Sequence, residues 1–196
     1  THEKPRFAFF QVFQPRGGGK RQAPTFDVVA PGIAKHEEEI VLAPGADPKS
    51  DPCLALRAAV AAAEFGLPIA PGTLQNLKSC PIDDRTWNDE SRSLFLRLLA
   101  SGPALLQVWE EIDFVDIPGR LIPEWLAIRN RPSASAAHRY TIDRHSVEVV
   151  TRLGRETPRG NRYDDRHYQA LLLAGILHDI GKRPWVADHA AEGARH

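Results

Sequence analysis

The middle of the chain carries apolar residues at helical spacing, interrupted by Gly, Pro and Asn residues that begin or end helices. The pattern predicts five short helices. Asp51 is placed to cap the first and Gly66 to end it, and Asn88 is placed to cap the third. Short connections between successive amphipathic helices are typical of an α-helical bundle. The predicted helices cover residues 52–65, 73–79, 88–102, 103–112 and 119–129.

The first 48 residues have a different pattern of apolar and polar positions, and it is the least helical in the chain. Residues 26–29 and 39–42 are short β-prone runs around a Pro-Gly turn, and they predict one small hairpin. The glycine run 17–19 has neither Walker nor dinucleotide-binding spacing around it, which favours a flexible connector over a phosphate-binding loop. We therefore predict a mainly α protein with an irregular N-terminal segment that contains a small β hairpin.

Two further helices are predicted in the last third of the chain. Thr141 is placed to cap a helix over residues 142–152, and a polar loop over residues 154–162 follows it. The second helix runs over residues 165–179 through an apolar stretch that is rich in Leu and Ala and poor in β-branched residues. A helix this apolar is expected to be buried.

The charge balance excludes some classes of partner. Lys plus Arg and Asp plus Glu both number 25, so no global field favours nucleic acid or an anionic membrane, and we expect neither. No apolar stretch reaches the roughly 20 residues that span a bilayer, and the N-terminus lacks the order of a signal peptide. Cys53 and Cys80 form no paired motif, which favours a reduced cytoplasmic protein. Because the chain has no methionine, we expect a fragment of a longer protein.

Six of the eight histidines lie in the last third of the chain. His145 lies near the start of one predicted helix, and His178 and Asp179 end the next, so an antiparallel helix pair would bring the three side chains together. Imidazole and carboxylate ligands suit a catalytic divalent metal, which promotes phosphoester hydrolysis. Adjacent helical residues diverge by about 100°, so His178 and Asp179 are expected to approach the metal from different directions. Lys182 is placed to meet a phosphate.

The order of these residues resembles the HD superfamily of metal-dependent phosphohydrolases. That pattern is a His, a His-Asp pair, often a His-x-x-x-Gly-Ala, and a later Asp that this sequence does not include. The resemblance implies metal ligation by His145, His178 and Asp179, catalytic roles for His178, Asp179 and Lys182, and Mg or Mn as the metal. His189 is either a ligand to a second metal or a loop histidine. The matching runs are His145, Leu177-His178-Asp179-Ile180-Gly181-Lys182 and His189-Ala190-Ala191-Glu192-Gly193-Ala194.

The sequence that leads up to His145 narrows the resemblance from the HD superfamily to one family within it. Arg120-Leu121-Ile122-Pro123-Glu124-Trp125, then Arg131-Pro132, then the run from His138 to His145 look like the entry to the HD domain of the bifunctional PII uridylyltransferase/uridylyl-removing enzymes. The helical stretch before them is similar to that family's linker. The resemblance divides the chain into an irregular segment (1–48), a helical linker (49–132) and the N-terminal half of an HD domain (133–196).

In that family one domain attaches a nucleotide to a tyrosine of the nitrogen-regulatory PII protein, and the HD domain removes it. The resemblance therefore implies a metal-dependent phosphodiesterase that acts on nucleotidylated PII, with UMP and AMP both open as the nucleotide. The transferase signature and the glutamine-sensing ACT domains are absent from this sequence. Two loops also differ from the family, because Ala187-Asp188-His189-Ala190 replaces Gly-Asp-His-Ser and Arg183-Pro184-Trp185 replaces a glycine-rich loop.

Two other functions fit the same residues. The chain is alternatively a non-catalytic helical module that regulates or connects other domains, in which case it binds no Mg or Mn and tolerates the loss of His145. It is alternatively an HD phosphohydrolase that acts on free nucleotides, which a screen of small phosphoesters would reveal. Outside these residues, His138 either approaches the site from before its helix or has a capping or surface role.

Overall fold

The computed structural model describes residues 25–82, 86–133, 140–156 and 166–195. Across these ranges a small sheet is followed by helices, which confirms the mainly α fold. The predicted glycine connector 17–19, His138 and His196 lie outside the described residues. The elements are β1 (Asp27–Ala30), β2 (Ile33–His36), β3 (Glu39–Leu42), α1 (Leu54–Phe65), α2 (Pro71–Leu77), α3 (Asp89–Leu99), α4 (Pro103–Phe114), α5 (Ile117–Leu121), a 3₁₀ helix (Pro123–Ala127), α6 (Ile142–Glu156), α7 (Arg166–Leu177) and α8 (His189–Gly193).

The N-terminal sheet has three antiparallel strands in the order β1-β2-β3, one more than the predicted hairpin. β2 escaped prediction because it is only four residues long and carries two polar residues at its end. It follows directly on Gly32, whose φ of +76° suits a glycine and where a Cβ would lie 2.6 Å from Leu54 Cδ1. Ile33 and Ile40 are fully buried and join the sheet to the helical core.

Helix α1 ends where predicted but begins at Leu54, two residues later than a cap at Asp51 implies. Gly66 adopts the left-handed conformation and its N–H bonds to the carbonyl of Ala62, as predicted for the stop. The predicted N-cap is wrong, because the cap position is Cys53 rather than Asp51. Asp51 accepts a hydrogen bond from the Cys53 N–H at 3.0 Å and pairs with Arg57, so its carboxylate still stabilises this end of the helix.

The predicted cap of the third helix is confirmed, and the predicted fifth helix is broken in two. The Asn88 side chain accepts a hydrogen bond from the Ser91 N–H at 2.9 Å at the start of α3. Where one helix over residues 119–129 was expected, α5 ends at Leu121 and a 3₁₀ helix begins at Pro123. Proline donates no backbone hydrogen bond and forces the preceding residue out of helical geometry, and Ile122 accordingly has φ −131° and ψ 89°.

The last two long helices differ from their predicted bounds at one end each. α6 continues to Glu156, so residues 154–156 are helical, contrary to the predicted polar loop, and the rest of that loop lies outside the described residues. α7 ends at Leu177, so His178 and Asp179 follow the helix instead of closing it. α7 packs on α6, and α6 packs on α4, so one hydrophobic core runs from the sheet to Ile180.

Both cysteines are buried free thiols among the described residues. Burial raises the pKa of the Cys80 thiol to about 11. Cys53 and Cys80 therefore behave as small apolar core residues. Across the described ranges we find no helix with the length and apolar character that crossing a membrane requires.

The contact between α6 and α7 depends on a glycine. A Cβ on Gly175 would lie 3.0 Å from both Leu153 Cδ1 and Val150 Cγ2. A larger side chain at this buried position must push the two helices apart.

We expect Gly175→Val to lower the free energy of unfolding by about 1–3 kcal/mol, because it overpacks this contact. Urea unfolding followed by circular dichroism measures the change. The matched control is Gly72→Val in α2, where no atom lies within 4 Å of an added Cβ; it should change stability by less than about 0.5 kcal/mol. Equal losses at the two glycines would contradict close helix packing at Gly175.

Candidate metal centre

Three predicted ligands converge in the structure. His145 lies in the second turn of α6, and His178 and Asp179 directly follow α7. One ligand atom from each residue lies within 4.8 Å of the other two. The pairing is antiparallel, because Gly175 faces Val150 while His178 faces His145. The predicted juxtaposition of the two helices therefore brings together the residues expected to share a metal.

The backbone holds the His178 ring in a defined orientation. Its Nδ1 lies 2.9 Å from the carbonyl oxygen of Gly175. A carbonyl only accepts, so Nδ1 carries the proton and the lone pair of a neutral ring is on Nε2. Nε2 is 3.4 Å from Asp179 Oδ2, and the His145 ring lies edge-on at 5.4 Å between ring centroids. Such a backbone bond to the distal nitrogen is typical of metal-binding histidines.

His178 and Asp179 are neighbours in sequence, and their ligand atoms converge, with His178 Nε2 3.4 Å from Asp179 Oδ2. The approach of the two side chains to one metal from different directions stays a prediction. Both residues lie beyond the end of α7, where the Ile180 N–H bonds to the Leu177 carbonyl and the Lys182 N–H to the Asp179 carbonyl, each at 2.9 Å and three residues back. Tight turns therefore follow the helix at these two residues.

Asp179 is the buried charge of the group. Its residue is 5% exposed, whereas the His178 side chain is 36% exposed. A buried carboxylate requires a compensating cation, and Lys182 provides one through Nζ at 2.8 Å from Oδ2. Lys182 was predicted to meet a phosphate. Its ammonium group lies on Asp179 and its side chain is 27% exposed, so the phosphate contact stays a prediction.

The donor set fits a divalent metal ion. Two imidazoles and one carboxylate leave coordination positions open for water and substrate, as catalytic sites do. Two ligands of one ion lie up to about 4 Å apart, so the spacing within this group requires only small side-chain movements. The neutral His178 tautomer and the buried Asp179 carboxylate both present lone pairs suited to a cation.

His189 is not part of this group. It opens the short helix α8 as an exposed residue, and the group of metal-ligating atoms found in the described chain consists of His145, His178 and Asp179. Asp188 caps α8 by accepting from the Ala191 N–H at 2.9 Å. A role for His189 at a second metal therefore stays a prediction.

Two glycines matter more to this site than the sequence indicated. In the structure a Cβ at Gly181 would lie 2.1 Å from the His189 carbonyl oxygen and 2.5 Å from the Gly193 nitrogen, so the backbone of α8 packs directly on the turn after Asp179. Gly175 likewise supplies both the close approach of α6 and the carbonyl that orients His178. The sequence signal that could have revealed this role is the position of the two glycines, three residues before His178 and two residues after Asp179.

Comparison with curated proteins identifies the class of protein to which this segment is related, namely large bifunctional enzymes. The matching proteins are named bifunctional uridylyltransferase/uridylyl-removing enzyme, and this chain is a homologue of one segment of that family. The relative from Streptomyces coelicolor is 40% identical over 179 residues, which is 91% of this chain and 21% of the relative. The resemblance found in the sequence is therefore confirmed.

Other relatives also match most of this chain. The protein of that name from Mycobacterium tuberculosis is 40% identical over 164 residues, or 83% of this chain and 20% of its own length. That from Corynebacterium glutamicum is 35% identical over 133 residues, or 68% and 18%. The chain thus spans about one fifth of the length of the curated relatives that it matches. No family model and no solved structure matches the chain.

We expect the His178 ring, when neutral, to carry its proton on Nδ1, because the Gly175 carbonyl accepts a hydrogen bond from that atom. Nitrogen-15 chemical shifts of the two ring nitrogens at mildly alkaline pH identify the tautomer. The exposed His189 provides the comparison within the same spectrum. A proton on Nε2 of His178 would contradict the orientation described here.

Proposed function

We propose that this chain contributes to a metal-dependent phosphodiesterase that removes a nucleotidyl group from a tyrosine of the PII protein, within a larger bifunctional enzyme. The observation that carries the proposal is the convergence of His145, His178 and Asp179. The name of the relatives supports it, since one of their two named activities is uridylyl removal. Uridylyl is therefore the nucleotidyl group that we favour over adenylyl.

The proposed metal is Mg or Mn, held by His145, His178 and Asp179. When bound, such an ion polarises a phosphoryl oxygen and acidifies a coordinated water, which is the chemistry that phosphodiester hydrolysis requires. His178 is pre-oriented for this role by the Gly175 carbonyl. Asp179 supplies the negative charge, and its burial keeps bulk water from screening that charge.

Lys182 has two proposed roles that follow from one contact. Its ammonium neutralises Asp179 across 2.8 Å, which stabilises the buried carboxylate when no metal is bound. The same positive charge opposes a divalent ion on that carboxylate and attracts the phosphate of a substrate. We therefore assign Lys182 to phosphate binding and to setting the affinity for the metal. We propose His189 only as a ligand of a second ion, because it does not belong to the group of His145, His178 and Asp179.

The two alternative functions remain distinguishable by experiment. A regulatory or connecting module would bind neither Mg nor Mn through these residues. A phosphohydrolase for free nucleotides would bind the metal but would hydrolyse small phosphoesters in preference to nucleotidylated PII. Metal binding and substrate preference are therefore the two measurements that separate the candidates.

We expect the chain to bind Mn. We expect His178→Ala to weaken that binding at least about tenfold, because the variant lacks one of the three proposed ligands. Electron paramagnetic resonance of free Mn during a titration measures the affinity. His36→Ala is the matched control, because His36 lies on β2, outside the group. Loss of affinity in both variants, or in neither, would contradict ligation by His178.

We expect the full-length gene product to release UMP from uridylylated PII, and expect the double variant His178→Ala/Asp179→Ala to lose this activity by at least about a hundredfold. Chromatographic quantification of UMP measures the rate. Undiminished release by the double variant would overturn the proposal. The exposed Glu38→Gln is a control outside the site.

Lys182→Met tests the two roles of the lysine in the same assay. Removing the ammonium should tighten Mn binding several-fold and yet slow UMP release, because charge repulsion and phosphate attraction are lost together. Lys182→Arg retains the charge and should lie closer to the wild type in both measurements. Parallel weakening of metal binding and release by Lys182→Met would instead indicate a purely structural role.

A further inference from the structure

Trp185 differs from the other tryptophans of the chain in its exposure to solvent. All four lie in the described part of the chain. Trp185 is 102% exposed, whereas Trp109 and Trp125 are 4% and 1% exposed and Trp87 is half-buried. Tryptophan is highly buried on average, because its indole presents a large apolar surface. The indole of Trp185 therefore lacks the packing that normally stabilises this residue within a fold.

The backbone of Trp185 is also unusual. Its φ is +68°, in the left-handed region. This conformation brings Cβ close to the following carbonyl oxygen, and bulky residues rarely adopt it. Residues in such strained conformations cluster at functional sites, where the surrounding structure maintains them. Exposure and strain together indicate that the position of this side chain has a role outside the packing of the core.

The loop that carries Trp185 is held at both ends. At its start the Arg183 N–H bonds to the Gly181 carbonyl at 2.7 Å, and the Arg183 side chain pairs with Glu192 of α8 at 3.7 Å. At its end Asp188 caps α8. A ligand that contacts the indole therefore meets a short restrained loop and does not have to order it first.

Both ends of this loop lie beside the metal group. Lys182, at its start, has Nζ 2.8 Å from Asp179 Oδ2. The carbonyl of His189, which follows the loop, lies against Gly181, two residues after Asp179. Three residues of chain span at most about 11 Å, so the Cα of Trp185 lies within that distance of the Cα of Lys182. The short loop therefore confines Trp185 to the neighbourhood of the metal group.

The order of groups along the loop matches that in a nucleotide. A nucleotidyl group has a phosphate and an aromatic base that are separated by one ribose. Lys182 is the residue assigned to the phosphate, and Trp185 follows it by three residues. Proteins commonly bind bases by stacking them on accessible aromatic side chains. An exposed indole at this separation from Lys182 suits the base of a group whose phosphate lies at the metal.

We propose that Trp185 binds the base of the nucleotidyl group by stacking its indole on it. The inference rests on the proposed function, because it takes the phosphate of that group to lie at Lys182 and the metal group. Stacking accepts every base, so the indole contributes affinity without choosing between uracil and adenine. Trp185 is a substrate-binding residue in this scheme and takes no part in breaking the phosphodiester bond.

The tryptophan fluorescence of this chain tests the stack without hydrolysis. Uridine 5′-monophosphate with Mg should quench the emission saturably, whereas ribose 5-phosphate, which lacks the base, should leave it unchanged. Trp185→Phe should abolish the quench, because the three remaining indoles are buried or half-buried. An absent quench, an equal response to the two ligands, or a quench that persists in Trp185→Phe would overturn the proposal.

Binding of labelled uridine monophosphate in equilibrium dialysis measures the contribution of the ring. Trp185→Ala should weaken binding at least about fivefold, whereas Trp185→Tyr retains an aromatic face and should stay within about twofold of the wild type. Phe114→Ala is the matched control, because it removes a ring that is 74% exposed at the end of α4 and should leave binding unchanged. Equal losses in Trp185→Tyr and Trp185→Ala would contradict a stack.

Kinetics of the full-length gene product separate this inference from the proposed function. Trp185→Ala should raise the KM for uridylylated PII at least about fivefold. It should change kcat by less than about twofold, because contact with the unreacting base stabilises ground state and transition state alike. Affinity for Mn should not change. UMP release with an unchanged KM would overturn the stack alone, whereas no release by the wild type would overturn the proposed function.

Acrylamide quenching tests whether another part of the full-length protein covers the ring. The contribution of Trp185 is the difference between the wild type and Trp185→Phe. Before nucleotide is added, acrylamide should quench it as strongly as it quenches N-acetyltryptophanamide, and uridine monophosphate should then protect it. Protection in the absence of nucleotide would show that protein packs on the indole and would overturn the proposal.

Discussion

The arrangement of the candidate site depends on how closely α6 and α7 approach one another at Gly175. The missing side chain lets Val150 and Leu153 of α6 lie against the backbone of α7. The same residue presents its carbonyl to His178 Nδ1, so one glycine fixes both the helix spacing and the direction of an imidazole. Neither effect is available to a residue whose side chain would separate the helices.

The electrostatics of the site follow from this packing. Asp179 is buried because the chain turns tightly after α7, beneath α8. Burial makes its negative charge costly unless a cation is close, and Lys182 is three residues away on the same turn. The turn therefore contains both the carboxylate that a metal would use and the cation that replaces the metal in its absence. Gly181 permits this arrangement because α8 lies against its backbone.

Much of the fold was predictable because local signals were unambiguous. The end of α1 at Gly66 and the Asn88 cap of α3 follow from local chemistry that acts within one turn. The break at Pro123 was equally local, yet the apolar pattern around it resembled one helix. β2 was missed because four residues with a polar end carry too little periodicity for a strand.

The candidate site was predictable in composition and less so in geometry. The positions of His145, His178 and Asp179 in two successive predicted helices were sufficient to predict that the start of one helix lies beside the end of the next. The direction of each side chain depended on whether the helix continued past Leu177, which apolar periodicity does not determine.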